Sequence, residues 1–159
     1  MIKKAHGFTI VELLIVIVVI AILAAISIVA YTGIQNRTYD STVKSELANF
    51  AKKLELVRVD RDGSYPTTLT SAMGFSFTKN AYQQDGQGYT LRYCVNTGTN
   101  QYIMYARSQS GSYFRYTSES GLSTATATFG YAVCEQVGLT STNPQANGRT
   151  PSSWASWVN

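Results

Sequence analysis

A long apolar stretch near the N-terminus constrains this chain more than any other feature. Residues 13–36 contain no charged side chain, and residues 13–30 are apolar except for Ser27. A helix needs about 20 consecutive, mostly apolar residues to cross a bilayer. Residues 8–30 therefore predict a membrane-spanning helix, and the more polar remainder is expected to lie outside the membrane.

The flank in front of this stretch is basic, and one acid lies at its edge. Lys3 and Lys4 in the short leader, residues 1–7, predict a cytoplasmic N-terminus. Glu12 is the only charged residue between Lys4 and Arg37. A charged side chain at the centre of a bilayer costs about 2.5–3.5 kcal/mol on insertion scales. Glu12 is therefore expected to need a partner.

Two simpler interpretations of this segment compete. A secretory signal peptide would have a shorter apolar core and a small-residue cleavage site at its far end. The length of the run and the position of Glu12 argue against it. An uncleaved anchor with an accidental Gly7-Phe8 pair stays open, because periodicity alone does not exclude it.

A helical pattern continues beyond the apolar stretch. Alternating intervals of four and three place five apolar side chains on one helical face: Val43, Leu47, Phe50, Leu54 and Val57. Asp62-Gly63 is typical of a helix end. We therefore predict one helix over residues 8–61, with an amphipathic segment at 31–62 that must pack against the rest of the chain.

Short alternating segments further on predict a small antiparallel sheet. Strands are expected over residues 88–96, 101–108 and 112–117, with a weaker signal at 117–128 and a last strand at 126–134. A short helical turn, capped by Thr67 or Thr68 and closed by Gly74, should precede them. The predicted fold class is α+β, with a long N-terminal helix packed on an antiparallel head of residues 63–137.

The tail, residues 138–159, is polar and resembles a linker except for its tryptophans. We expect the tail to fold back and place Trp154 or Trp157 against the head. The alternative is that these indoles contact a neighbouring subunit or another partner.

Composition gives little support for catalysis. The only histidine, His6, lies in the leader, so the mature part would lack the commonest general base. There is no phosphate-binding loop, no paired-carboxylate spacing and no cluster of metal ligands. We expect no enzyme activity, no catalytic residue, no metal and no cofactor.

Two cysteines, Cys94 and Cys134, lie far beyond the apolar run. A polar domain behind a membrane signal is expected to be exported, and a disulfide between the two is then the default interpretation. Two isolated cysteines are too few for a zinc site.

A nucleic-acid partner receives weak support. The formal net charge of +4 includes both leader lysines. Arg92, Arg107 and Arg115 are interleaved with tyrosines, a composition that can stack bases and contact phosphates. We favour the simpler interpretation that the tyrosines fill a half-buried sheet.

The segment Gly7-Phe8-Thr9-Ile10-Val11-Glu12-Leu13 resembles the N-terminus of type IV pilins and their pseudopilin relatives. The similarity continues through the apolar run to Tyr31. It implies that a prepilin peptidase cuts between Gly7 and Phe8 and methylates the new amine. It also implies that Glu12 meets the Phe8 amine of an adjacent subunit.

The resemblance further implies a membrane-anchored precursor that an assembly platform polymerises into an extracellular helical filament. Such fibres serve adhesion, motility or DNA uptake. A pseudopilin of a type II secretion system, a minor pilin and a DNA-binding competence pilin are the alternatives within the family. This chain departs from the family where Ala21 and Val29 replace a glycine and a proline, residues that would weaken the helix.

Overall fold

The computed structural model describes residues 7–84, 90–126, 132–138, 145–149 and 153–158. The elements in chain order are helix α1 (Ile10–Val59), two single 3-10 turns (Ser71–Met73 and Lys79–Ala81), strands β1 (Leu91–Asn96), β2 (Gln101–Arg107), β3 (Tyr113–Thr117) and β4 (Gly121–Thr124), helix α2 (Ala132–Glu135) and strand β5 (Gln145–Arg149). The predicted fold class, a long N-terminal helix with an antiparallel sheet, is confirmed. The chain divides into two compact units, residues 1–35 and 36–159.

The first unit contains the apolar part of α1. The large apolar side chains of this unit are exposed, with exposed fractions from 47% at Val18 to 87% at Phe8. The helix is long and apolar enough to cross a membrane. Ser27 and Thr32 turn their hydroxyls back onto the carbonyl oxygens of Leu23 and Val29, at 2.8 and 3.0 Å. The helix continues without a break through Ala21 and Val29, a point that the sequence left open.

The second unit forms around the amphipathic part of α1. Val43, Leu47, Phe50 and Leu54 of the predicted stripe are buried, whereas Val57 is only half-buried. Alternate residues of the strands cover this stripe, because successive side chains of a strand point to opposite faces. The sheet contributes Leu91, Tyr93, Val95, Tyr102, Met104, Ala106 and Phe114 to this core.

Acidic side chains beside the stripe fasten the helix to the head. Glu46 accepts hydrogen bonds from the Thr78 amide at 2.8 Å and from the Tyr82 hydroxyl at 2.7 Å. Glu55 accepts one from the Tyr65 hydroxyl at 2.6 Å. Asp40 accepts one from the Ser112 hydroxyl at 3.1 Å. These three carboxylates therefore stabilise the contact between the helix and the head and are not merely solvent-exposed charges.

The sheet has the order β4-β3-β2-β1-β5, and every neighbouring pair is antiparallel. The predicted meander through β1, β2 and β3 is present, and the weak signal near residue 120 corresponds to β4. The expected start of the first strand at residue 88 lies outside the described residues. The expected helical turn is shorter than predicted and has Thr70 at its N-cap instead of Thr67 or Thr68, although Gly74 closes it in the left-handed conformation at φ 67°.

The prediction of a last strand over residues 126–134 is wrong at its end, where Cys134 lies in helix α2. Val133 and Cys134 are adjacent and both buried, and Val137 follows four residues after Val133. Adjacent residues of a strand point to opposite faces, whereas this helix and the turn after it bring all three side chains into one cluster.

The tail contains a strand that its polar composition did not predict. Strand β5 adds to the sheet beside β1. Trp157 is buried against Phe50, Phe75 and Phe77, with ring centroids 6.0–6.4 Å apart. The tail therefore closes the core, and the expectation that a tryptophan packs on the head holds for Trp157.

Gly148 makes this closure possible. It is buried at an irregularity of the β1–β5 ladder, where Leu91 pairs with Arg149 and Arg92 with Asn147. A Cβ at this position would lie 2.5 Å from Leu91 and 3.0 Å from Trp157. The Gly148 carbonyl oxygen accepts a hydrogen bond from the Ala155 amide at 2.8 Å.

We expect Gly148→Ala to destabilise the head by about 1–3 kcal/mol, the usual cost of overpacking. Urea unfolding followed by tryptophan fluorescence measures this, because both tryptophans lie in the tail. Gly33→Ala is the matched control, since a Cβ there meets no atom within 4 Å. An unchanged midpoint for Gly148→Ala would contradict the described packing.

Alkaline pH should destabilise the head through its buried tyrosines. Burial, followed by the hydrogen bond to Glu55, raises the pKa of Tyr65 to about 12. Burial also raises the pKa of Tyr82, Tyr93 and Tyr102. Tyrosines in the unfolded chain ionise near pH 10, so stability is fully present below that pH and is lost as the pH rises towards 12.

Urea midpoints measured between pH 9 and pH 12 test this expectation. The midpoint should fall across the window, and Tyr65→Phe should make the fall shallower by removing one titrating group. A midpoint that stays constant to pH 12 would show that ionisation of these tyrosines is not coupled to folding.

Candidate functional site

The three described residues in front of α1 have no regular secondary structure. Gly7, Phe8 and Thr9 precede the first helical residue, Ile10, and all three are exposed. A Cβ at Gly7 would meet no atom within 4 Å, and its backbone is not left-handed. The described fold therefore does not itself require glycine at this position.

Thr9 and Glu12 form a reciprocal cap at the start of α1. The Thr9 amide donates to Glu12 Oε2 at 2.9 Å, and the Thr9 hydroxyl donates to the same oxygen at 2.7 Å. The Glu12 amide donates back to Thr9 Oγ1 at 3.2 Å. This is a capping box, in which two side chains satisfy backbone donors that a helix start leaves unpaired.

The cap gives the Glu12 carboxylate a partner within its own chain, but an uncharged one. Both donors to the carboxylate come from Thr9 and end on Oε2. Within the described residues, Oε1 is the oxygen left for a donor from another molecule. The negative charge also lies in the first turn, where the positive end of the helix dipole favours it.

Sequence reasoning found Gly7, Phe8 and Glu12 but missed Thr9. The structure gathers all four residues at the N-terminal end of α1. The signal for Thr9 was readable, because Thr followed three residues later by Glu before an apolar run is the pattern of a capping box. Cleavage at Gly7 and pairing of Glu12 with another chain stay predictions.

Cys94 and Cys134 form a disulfide in the head, with their Cα atoms 5.4 Å apart. Both residues are buried. The bond attaches α2 to β1 on the sheet face opposite α1, where Ile103, Tyr105 and Val133 pack around it. In the chain-entropy model, a closed loop of this length contributes about 4 kcal/mol of stability.

Four of the arginines and tyrosines considered for nucleic acid are buried inside the head. Arg92, Tyr93, Tyr102 and Tyr105 are each at most 2% exposed. A buried tyrosine offers no face on which a base can stack. This burial supports the interpretation that the tyrosines fill the sheet.

Among the described residues, no group of three or more His, Cys, Asp or Glu side chains could hold a metal ion. The N-terminal segment offers an exposed peptide bond between Gly7 and Phe8 and a carboxylate in the first turn of α1. Neither feature provides a catalytic mechanism of its own.

Comparisons with known proteins place this segment in context. The family model described as the prokaryotic N-terminal methylation motif matches residues 2–28. The type IV wide pilus major component PilA4 of Thermus thermophilus is 30% identical over 121 residues, which cover 76% of this chain and 87% of that protein. No solved structure matches the chain.

Proposed function

Because the chain belongs to the type IV pilin family, we propose that it is a structural subunit that polymerises through α1 into a type IV pilus. Its relative is named as the major component of a wide pilus, which favours a main subunit over a minor pilin or a pseudopilin. The observation that carries the proposal is the Glu12 carboxylate, which lies at the edge of an apolar helix and accepts hydrogen bonds, among the described residues, from Thr9 alone.

The proposed first step is cleavage between Gly7 and Phe8 by a prepilin peptidase, with methylation of the new Phe8 amine. The matched methylation motif includes both residues. The scissile bond precedes α1 in an exposed stretch, so a peptidase can bind it in an extended form. Gly7 suits a peptidase subsite that admits no side chain.

The proposed second step is pairing of Glu12 with the Phe8 amine of a neighbouring subunit. Cleavage creates a positive charge four residues before a carboxylate whose donors in the described part of the chain are neutral. A single charge in apolar surroundings is costly, whereas an ion pair neutralises both partners. The reciprocal contact would therefore set the register between adjacent helices.

The roles of the other parts of the chain follow from these two steps. The precursor is held in the cytoplasmic membrane by residues 8–30, with its leader in the cytoplasm. An assembly platform then extracts the subunit, and the exposed apolar side chains of α1 exchange lipid for neighbouring helices. The disulfide-linked head faces the outside of the fibre, where disulfides persist.

Processing predicts a defined N-terminus. Mass analysis of the main subunit in sheared surface fibres should give a chain that begins with methylated Phe8. Gly7→Val should block cleavage, because the added side chain enters the peptidase subsite. Ala5→Val adds the same side chain two residues earlier and should be processed normally. Fibres built from chains that still begin at Met1 would refute the proposal.

The Glu12 charge predicts a defect in assembly rather than in folding. We expect Glu12→Ala to accumulate in the membrane and to enter fibres at least tenfold less than the parent chain. Glu12→Gln can still accept the hydrogen bonds from Thr9 but carries no charge. If Glu12→Gln assembles normally, the role of Glu12 is helix capping, and the ion pair is wrong.

A further inference from the structure

The first polar turns of α1 after the apolar run carry an aromatic ring, an amide and a cation in that order. We propose that these three residues, Tyr31, Gln35 and Arg37, form a collar that binds phospholipid headgroups on the side of the membrane where α1 emerges. The collar fixes the depth of the helix in the bilayer before assembly. This inference rests on the proposed function, because it requires a membrane-anchored precursor.

Tyr31 lies directly after the apolar run and is 62% exposed. Gln35, one turn further along α1, donates a hydrogen bond from Nε2 to the Tyr31 hydroxyl oxygen at 2.8 Å. The ring is therefore exposed, whereas its polar end has a partner that comes from the hydrophilic side of the run. Side chains with an apolar ring and a polar end are enriched at the boundary between hydrocarbon and headgroups.

Arg37 supplies the positive charge of the collar. Its side chain is exposed, and within the described part of the chain no carboxylate forms a salt bridge with it. Asp40, the nearest acid along the helix, accepts hydrogen bonds from the hydroxyls of Ser110 and Ser112 instead. A guanidinium that has no carboxylate partner suits a phosphate, which it can bind through two parallel hydrogen bonds.

The spacing along α1 matches the layers of a bilayer. The hydrocarbon core is about 30 Å thick and the whole bilayer about 40–45 Å, which leaves about 5–8 Å for each headgroup layer. Residues 10–30 of the helix span about 32 Å, and Tyr31 and Arg37 are about 9 Å apart along its axis. Helical side chains tilt towards the N-terminus, so the Arg37 guanidinium can reach back to the phosphates.

Lipid is the occupant that the surroundings of the collar favour. None of residues 31–38 is buried, and Tyr39 is the first large side chain of α1 that packs against the core. The collar is also continuous with the exposed apolar surface of a helix that can cross a membrane. One bilayer can therefore cover both, with its hydrocarbon on the apolar run and its headgroups on the collar.

Cysteine labelling of the full chain in membranes measures the depth of α1. The chain is placed in vesicles of phosphatidylethanolamine and phosphatidylglycerol, and a membrane-impermeant maleimide is added on the side of the head. Cys94 and Cys134 do not react, because they form a disulfide. Ser27→Cys, within the apolar run, should be protected, and Thr38→Cys, beyond the collar, should react fully. Ile34→Cys should react at an intermediate rate.

Loss of the collar should let α1 sink, because residues 31–36 carry no charge that would oppose it. Tyr31→Ala and Arg37→Gln should each lower the labelling rate of Ile34→Cys at least threefold. Tyr31→Trp keeps an interfacial aromatic ring and should retain the parent rate. Arg61→Gln, at an exposed arginine beyond the C-terminal end of α1, is the matched control and should leave the rate unchanged.

An unchanged rate at position 34 in both Tyr31→Ala and Arg37→Gln would overturn the proposal, and so would an equal effect of Arg61→Gln. A photo-crosslinker identifies the occupant directly. Benzoylphenylalanine at position 31 should form bonds to phospholipid in these membranes. Bonds to a second copy of the chain, or to another membrane protein, would assign this surface to that occupant and refute the collar.

The collar and the anchor fail differently in the same experiment. If Ser27→Cys reacts as fast as Thr38→Cys, the chain is not embedded, and the membrane-anchored precursor of the proposed function is wrong. If Ser27→Cys is protected but the collar variants leave position 34 unchanged, the anchor stands and the collar is wrong.

Discussion

Packing of the amphipathic part of α1 against the sheet is the contact on which the rest of the head depends. The helix brings Val43, Leu47, Phe50 and Leu54 to one side. The buried strand residues on the facing surface of the sheet pack against them in one core. Burial of each such side chain contributes about 1.5–3 kcal/mol. The tyrosine hydroxyls at the margin then find Glu46 and Glu55 as acceptors, so the same interface is apolar in its centre and hydrogen-bonded at its rim. These hydrogen bonds are directional, so they fix the position of the helix along the sheet more tightly than apolar packing alone would.

The apolar part of α1, in contrast, is exposed. Its side chains have no cover within the described chain, and its exposed surface is suited to lipid or to other helices. One helix thus has an exposed apolar part and a part packed against the sheet. The sequence marks the boundary between them by the change from an all-apolar run to an apolar stripe on one helical face. The Thr9–Glu12 cap lies at the N-terminal end of this run and places a carboxylate at an exposed helix start.

Much of this arrangement could be predicted from the sequence, because it depends on local periodicity. The helix, the meander and the N-terminal segment of Gly7, Phe8 and Glu12 follow from patterns within short windows. Strand β5 could not be found in this way, since its pairing with β1 depends on contacts more than 50 residues away in the chain. Helix α2 was mistaken for a strand because four residues are too few to display a period. Thr9 was missed although its capping pattern was present in the sequence.

The position of β5 in the sheet has a consequence for the order in which the head forms. Strands β1 to β4 can pair as soon as each has emerged, but β1 keeps an open edge until residues 145–149 arrive. The aromatic centre around Phe50 and Phe75 likewise stays uncovered until Trp157 is present. Long-range closure of this kind is slow compared with local pairing. A chain that still lacks residues 145–158 therefore keeps its core open, and the head completes its folding only when the tail is present.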